Sequence, residues 1–234
     1  MISDLFLELI FPGRCAVCDS VLAWGQKEIC DECRKKIQYS DGEVCLKCGK
    51  SVREEEEYCY DCREKVHYFK QGTALFPYEY IRTSLYRFKY SGRKEYAAFY
   101  GRQMAYRMEE KRHLWKPEAL IPVPIHKKKL RKRGYNQAEL IARQLSEYWK
   151  IPVLTNLVVR CKNTRPMKEI VGTDRQNNLK KAFKLGANDV KLNTIIIIDD
   201  IYTTGSTIDA VAKVCLEAGI PNIYFMTVSV GCGL

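Results

Sequence analysis

IIIIDDIYTTGST, residues 195–207, constrains the fold of this 234-residue chain more than any other stretch. Four consecutive isoleucines give no alternation between a wet and a dry side, so they read as a strand buried on both faces. The run ends in two adjacent carboxylates, Asp199 and Asp200, and then in a turn of hydroxyls and a glycine. Behind it, STIDAVAKVCLEAG (206–219) has helical spacing of its apolar residues and Gly219 past its end. ALIPVPI (119–125) reads as a strand, NQAELIARQLSEYW (136–149) as an amphipathic helix, VLTNLVVR (153–160) as a further apolar run and NIYFMTVSV (222–230) as a closing strand. Strands alternating with helices in this way predict a parallel α/β sheet flanked by helices, with ligands bound beyond the carboxyl ends of the strands.

The turn itself predicts a ligand. Thr203, Thr204, Gly205, Ser206 and Thr207 open a helix whose free N–H groups and dipole attract a phosphate. Gly205 permits close backbone approach, and the hydroxyls add donors. Asp199 and Asp200, which only accept when ionised, suit the two hydroxyls of a ribose. A plain helix cap after a strand that happens to end in Asp-Asp explains less, because like charges beside a buried run incur repulsion and desolvation. The lysine of a nucleotide P-loop is missing.

Cysteine and charge divide the chain near residue 65. Eight of the eleven cysteines form four pairs: Cys15 and Cys18, Cys30 and Cys33, Cys45 and Cys48, Cys59 and Cys62. Two residues separate the members of each pair, eleven separate the first two pairs and ten the last two. Such turns present two thiolates each, and two turns complete a tetrahedron of sulfurs around structural zinc. Sequential and interleaved pairing both satisfy the spacing. A disulfide framework would need an oxidising compartment, and a redox pair would need one such motif rather than four. Residues 1–65 carry 10 Lys/Arg against 14 Asp/Glu, whereas residues 66–234 carry 29 against 14. An acidic zinc module (1–65) ahead of a basic α/β domain (66–234) is the expected organisation, the basic part suiting polyanionic partners.

No run of about 18 apolar residues exists to span a bilayer. MISDLFLELIF at the N-terminus lacks the basic start of a signal peptide and reads as a short amphipathic helix. Both points favour the cytoplasm. Cys161, Cys215 and Cys232 read as buried small hydrophobes, and His67, His113 and His126 as ordinary core or surface residues without ligand spacing. In YRFKY (86–90) aromatics alternate with cations, as in proteins that bind single strands. Tyr86 and Tyr90, like Tyr96 and Tyr100, are four apart, and packing along one buried helical face is the favoured reading.

Four apolar residues, two acids, three variable residues and TGxT resemble the phosphoribosyl-pyrophosphate (PRPP) signature of type I phosphoribosyltransferases. Together with the paired cysteines, IPVPIHKKKLRKRGYNQAELIA (121–142) and LYRFKYSGRKEYAAFYG (85–101), the chain is identified as a member of the ComF family. The resemblance covers nearly the whole chain and implies a phosphoribosyltransferase-like domain behind two structural zinc sites. It implies that Asp199 and Asp200 bind the ribose hydroxyls of PRPP, directly or through Mg²⁺, and that residues 203–207 hold the 5′-phosphate. The loop from His126 resembles the place where pyrophosphate binds. It carries Lys127, Lys128, Lys129, Arg131, Lys132 and Arg133, cations that suit a diphosphate or a nucleic-acid backbone. Arg133, opening RGYNQ, is expected to serve PRPP, and the other five DNA or a protein partner. Residues 160–178, with Thr164, Arg165, Lys168 and Arg175, resemble the lid over such sites.

Two functions are implied by the resemblance. One is an accessory role in DNA uptake and natural transformation, handling incoming single-stranded DNA beside a DNA-dependent ATPase of the ComFA type. The other is an active phosphoribosyltransferase, with attack on the anomeric carbon of PRPP and loss of pyrophosphate. Thr203 stands where purine-salvage relatives place an aspartate base, and threonine takes no proton near neutral pH. PRPP binding is therefore better supported than turnover, and the accessory role is favoured.

Overall fold

The computed structural model of the chain describes residues 12–161, 182–186 and 191–231. The expected N-terminal helix, Cys232, and all of the expected lid except Arg160 and Cys161 lie outside the described residues. The cysteine module holds two short helices, α1 (Asp31–Lys35) and α2 (Tyr60–Glu64). Then come β1 (Gln71–Pro77), α3 (Tyr78–Tyr90), α4 (Tyr96–Arg107), α5 (Glu109–Trp115) and β2 (Ala119–Pro122). They are followed by α6 (Lys127–Arg133), α7 (Gln137–Trp149), β3 (Val158–Arg160) and β4 (Phe183–Leu185). The chain closes with β5 (Thr194–Tyr202), α8 (Ser206–Glu217) and β6 (Asn222–Val230).

The fold class expected from the sequence is the one observed. Four parallel strands pair in the order β1–β6–β5–β2. The isoleucine strand β5 lies inside this sheet, and all four isoleucines are wholly buried. Successive side chains on a strand point to opposite faces. Ile196 and Ile198 accordingly join one core with residues of α3, α4 and α7. Ile195 and Ile197 join a second core with Ile208, Val211, Ala212 and Cys215 of α8. A fully paired, doubly covered strand is where an unbroken apolar run belongs.

Several local expectations change. VLTNLVVR is a strand only over Val158–Arg160, which pairs antiparallel with β4 in a separate two-stranded sheet. The basic segment expected as a loop forms the helix α6. His126 Nδ1 caps it by accepting from the Lys128 N–H at 3.2 Å, and Gly134 ends it at φ 83°. Cys215 is buried as expected, but Cys161 is exposed. It lies just past the end of β3 and joins neither core among the described residues.

The packing of α3 corrects the tyrosine reading. Tyr96 and Tyr100 are buried on α4, but Tyr86 and Tyr90 stay 62% and 65% exposed. Ile81, Leu85 and Phe88 already fill the buried stripe of α3, leaving the tyrosines on its outer side.

The described part of the cysteine module straddles the sheet. Cys15, Ala16 and Ile29 pack into the core beside α3 and α4. Cys45 and Cys48 pack into the core beside α8.

Candidate functional site

The cysteines of the two ribbons also anchor the module. The sulfurs of Cys15, Cys18, Cys30 and Cys33 lie within 4.8 Å of one another, and so do those of Cys45, Cys48, Cys59 and Cys62. Sequential pairing is therefore the arrangement adopted. Cys18 and Cys30 sulfurs are 3.8 Å apart and Cys48 and Cys59 sulfurs 3.6 Å. Tetrahedral Zn–S bonds of about 2.3 Å place sulfurs about 3.8 Å apart, so both clusters fit the ion. In each, Cys30 or Cys59 precedes a helix, so the last cysteine, Cys33 or Cys62, falls in its first turn. These are two structural zinc sites, closed by four sulfurs each and without an open position for catalysis.

At the carboxyl end of β5 the two acids stand as the sequence suggested, but with partners it did not reveal. Lys89 of α3 puts its Nζ 2.8 Å from Asp200 Oδ1. The Asp200 N–H donates to Asp199 Oδ1 at 2.9 Å. Burial, and then the neighbouring Asp200 charge, push the Asp199 carboxyl up to about 7, against the pull of Lys89 and Arg160. Lys129 of α6 is half-buried nearby. Desolvation, then the charges of Arg160, Arg133 and Lys89, hold its pKa below the usual lysine value. Lys89 and Arg160, from two separate elements, thus act on one acidic pair, and Lys129 lies close enough to feel both cations, a charge pattern suited to a phosphorylated ligand.

The turn after β5 is built for close approach. Gly205 caps α8 at φ 76°, and a Cβ there would lie 2.6 Å from the Tyr202 hydroxyl. Glycine is required both for its backbone and for space. Thr204 Oγ1 and Ser206 Oγ are 2.9 Å apart at the mouth of the turn. Beneath it the buried His67 ring meets Asp209 of α8, Nδ1 to Oδ2 at 2.8 Å, and the Tyr68 N–H donates to the same carboxylate at 3.0 Å. Residues just after the second zinc site therefore brace the first turns of α8. His67 is a core residue, but a specifically placed one.

Between the second zinc ribbon and this turn lies a cavity of about 870 Å³, bordered by Lys50, Arg53, Tyr60, Lys65, Thr203 and Thr204. The buried Lys50 amine bonds Asp61 at 2.6 Å and lies 5.9 Å from the centre of the Tyr202 ring.

The basic helix α6 divides into two sides. Lys129 and Arg133, four apart, are partly buried, whereas Lys127, Lys128, Arg131 and Lys132 are exposed. Arg133 does not touch the acidic pair. Its guanidinium lies 5.2 Å from the Tyr90 ring centre and donates to Gln137. Tyr135 and Gln137 both donate to the Phe88 carbonyl. The RGYNQ segment thus clamps the last turn of α3, which holds Lys89 in reach of Asp200. Sequence reasoning missed Lys89, although it sits inside YRFKY.

A parallel α/β protein with a glycine-bearing hydroxyl turn after its acidic strand, behind two zinc ribbons, is the class that fold and site define. The double zinc ribbon domain family matches residues 6–63. Competence protein F of Haemophilus influenzae is 31% identical over 219 residues, covering 91% of this chain and 95% of that one. The DNA utilization protein YhgH of Escherichia coli O6:H1 is 28% identical over 219 residues, covering 92% and 96%. The crystal structure of a purine phosphoribosyltransferase from Pyrococcus horikoshii Ot3 matches over 56% of this chain and 82% of its own at 15% identity, with a TM-score of 0.34. The chain belongs to the ComF family of competence proteins. Among the described residues, no helix is long and apolar enough to cross a membrane.

Proposed function

We propose that this protein is a cytoplasmic accessory of DNA uptake in natural transformation whose α/β domain binds PRPP with Mg²⁺. The observation that carries the reading is the acidic pair Asp199–Asp200 just ahead of the glycine turn, with Lys89 and Arg160 acting on it. The 5′-phosphate would take residues 203–207 and the ribose hydroxyls the two acids. Lys129 and Arg160 provide charge for a diphosphate, and Arg133 supports them by fixing α3. Two adjacent carboxylates are the donor set a hard divalent cation takes, and Mg²⁺ there would offset the charge of pyrophosphate. The Lys89 amine occupies one Asp200 oxygen in the free protein and would yield or share it. Exposed Lys127, Lys128, Arg131 and Lys132 are assigned to single-stranded DNA or to a ComFA-type ATPase, in keeping with relatives named for competence and DNA utilization.

Calorimetric titration of PRPP with Mg²⁺ tests the site. Asp199→Asn with Asp200→Asn should abolish binding, and unchanged affinity in that double variant would rule the site out. A pH series adds a sign. The Asp199 carboxyl titrates near 7, above its ordinary value, so the folded state holds a proton that the unfolded state releases. Its contribution to stability is present at low pH and lost as pH rises through about 7. Asp199→Asn should therefore stabilise the protein by on the order of 2–4 kcal/mol at pH 8, with the gain shrinking below pH 6. PRPP affinity of the wild type should rise over the same interval, as the carboxylate forms.

A second reading, transfer of ribose 5-phosphate to an unidentified nucleophile, has one observation in its favour. The 870 Å³ cavity against Thr203 and Thr204 is large enough for an acceptor. Steady pyrophosphate release on adding a nucleophile would move this reading ahead.

A further inference from the structure

We propose that Tyr86 and Tyr90 form a stacking platform for the bases of single-stranded DNA, packed against Arg133 of the basic helix α6, whose other side is exposed. The inference rests on the nucleic-acid reading of that side.

The two rings sit on consecutive turns of α3, their centres 5.0 Å apart and their planes inclined at 48°. Both are more than half exposed, while the opposite side of the helix is packed by Ile81, Leu85 and Phe88. Core packing therefore does not account for two aromatic residues at these positions. Their surroundings are cationic rather than apolar. Arg133 lies over the Tyr90 ring at 5.2 Å and belongs to the same helix as Lys128 and Lys132. Tyr135 and Gln137 tie that helix and its following turn to the Phe88 carbonyl, so rings and cations keep a fixed relation. Lys127, Lys128, Arg131 and Lys132 have no ion-pair partner among the described residues.

Exposed rings beside a cationic helix are what a single strand requires. Phosphates track the charges, and every base offers a face for stacking. A duplex keeps its bases stacked inside and cannot use the rings. A protein partner buried on this patch would have to desolvate several unpaired cations, which disfavours it. Two rings inclined to one another suit successive bases of a flexible strand, one on each. Because Lys89 extends from the same turn to Asp200, a strand on the platform would lie beside the site for the sugar phosphate.

The experiment measures binding of labelled oligothymidylate by fluorescence anisotropy across a salt series. Stacking contributes about 1–3 kcal/mol per base, so Tyr86→Ala with Tyr90→Ala should weaken binding at least tenfold. Stacking releases no counterions, so the slope of log affinity against log salt should stay at the wild-type value. Tyr86→Phe with Tyr90→Phe should retain near-wild-type affinity. Lys128→Ala with Lys132→Ala should instead flatten the slope by roughly one unit per lost contact. Inorganic polyphosphate, which has charge but no bases, should bind the alanine variant and the wild type alike. Wild-type affinity in the alanine variant overturns the platform while leaving the DNA reading intact. So does an equal loss of polyphosphate binding, because the rings would then act only by positioning cations. A wild-type protein that binds no oligothymidylate at low salt overturns the DNA reading, and the platform with it.

Discussion

Asp19 and Gly49 each come directly after the second cysteine of a zinc knuckle, at φ 69° and 76°, and from that shared position the two ribbons diverge. Their local frames are alike. Asp19 N–H donates to the Cys15 carbonyl and Gly49 N–H to the Cys45 carbonyl, both at 2.9 Å. Ala16 and Leu46 likewise pair with the carbonyls of Glu28 and Glu57, and each ribbon ends in a short helix. In the first ribbon the side chain does the docking. Asp19 accepts from the Tyr96 hydroxyl and lies 2.9 Å from Arg93, with Arg87 at 3.7 Å. These contacts offset the cost of a non-glycine residue in the left-handed region. In the second ribbon the backbone does the docking. A Cβ on Gly49 would lie 3.0 Å from the Thr73 Cα, and the Gly72 N–H of β1 donates to the Lys47 carbonyl at 2.8 Å. One knuckle is held by charge against α3 and α4, the other by close approach to β1. The metal fixes the shape of each knuckle, and the residue after its second cysteine decides which surface the knuckle serves.

Loss of a zinc ligand should have the largest effect and should separate the ribbons. Cys30→Ser and Cys59→Ser should each lower zinc content from about two ions to one, measured on purified protein, and destabilise by several kcal/mol. Only Cys59→Ser should also weaken PRPP binding, because Lys50 of that ribbon packs on Tyr202 and lines the cavity against Thr203, and His67 just past it braces Asp209. Equal losses of affinity in both variants would break the comparison.

Substitutions at the paired position come next. Asp19→Ala leaves Tyr96 and Arg93 without their acceptor and should cost about 2–3 kcal/mol at neutral pH. Burial works to raise the Asp19 carboxyl, but the Tyr96 hydroxyl and Arg93 outweigh it and hold it below its ordinary range. Its contribution is thus present above the usual carboxylate pKa and fades as pH falls through the lowered value. Denaturation at several pH values should show the gap between Asp19→Ala and wild type closing in acid. Gly49→Ala should cost about 1–3 kcal/mol at every pH, since backbone strain does not titrate.

The smallest effect is expected where the first ribbon touches α4 through exposed charge. Arg107 bonds Asp41 and lies 4.4 Å from the Tyr39 ring centre, but both charged side chains are largely in water. Arg107→Ala should cost at most about 1 kcal/mol, and much of that should vanish in high salt. A larger loss would mean that exposed charge adds substantially to Asp19 and the buried residues in docking this ribbon.

What the sequence determined by itself was everything written in a local pattern. The isoleucine run announced a doubly covered strand, TTGST the turn that opens α8, and the four cysteine pairs two zinc sites. In these the decisive residues are neighbours along the chain, so spacing and residue type are enough. β1 escaped notice because QGTALFP is short and becomes a strand by pairing with β6. Which cysteine pairs share an ion was equally open, since both arrangements satisfy the spacing. Only the tertiary structure decided that Lys89 reaches Asp200 across 111 positions and that His67 braces Asp209 across 142. It also decided that Tyr86 and Tyr90 face water: their helical spacing says that they share a face, but only packing chooses which face is buried. Contacts between residues far apart in sequence depend on how helices settle on the sheet, and no window of neighbouring residues encodes that settlement.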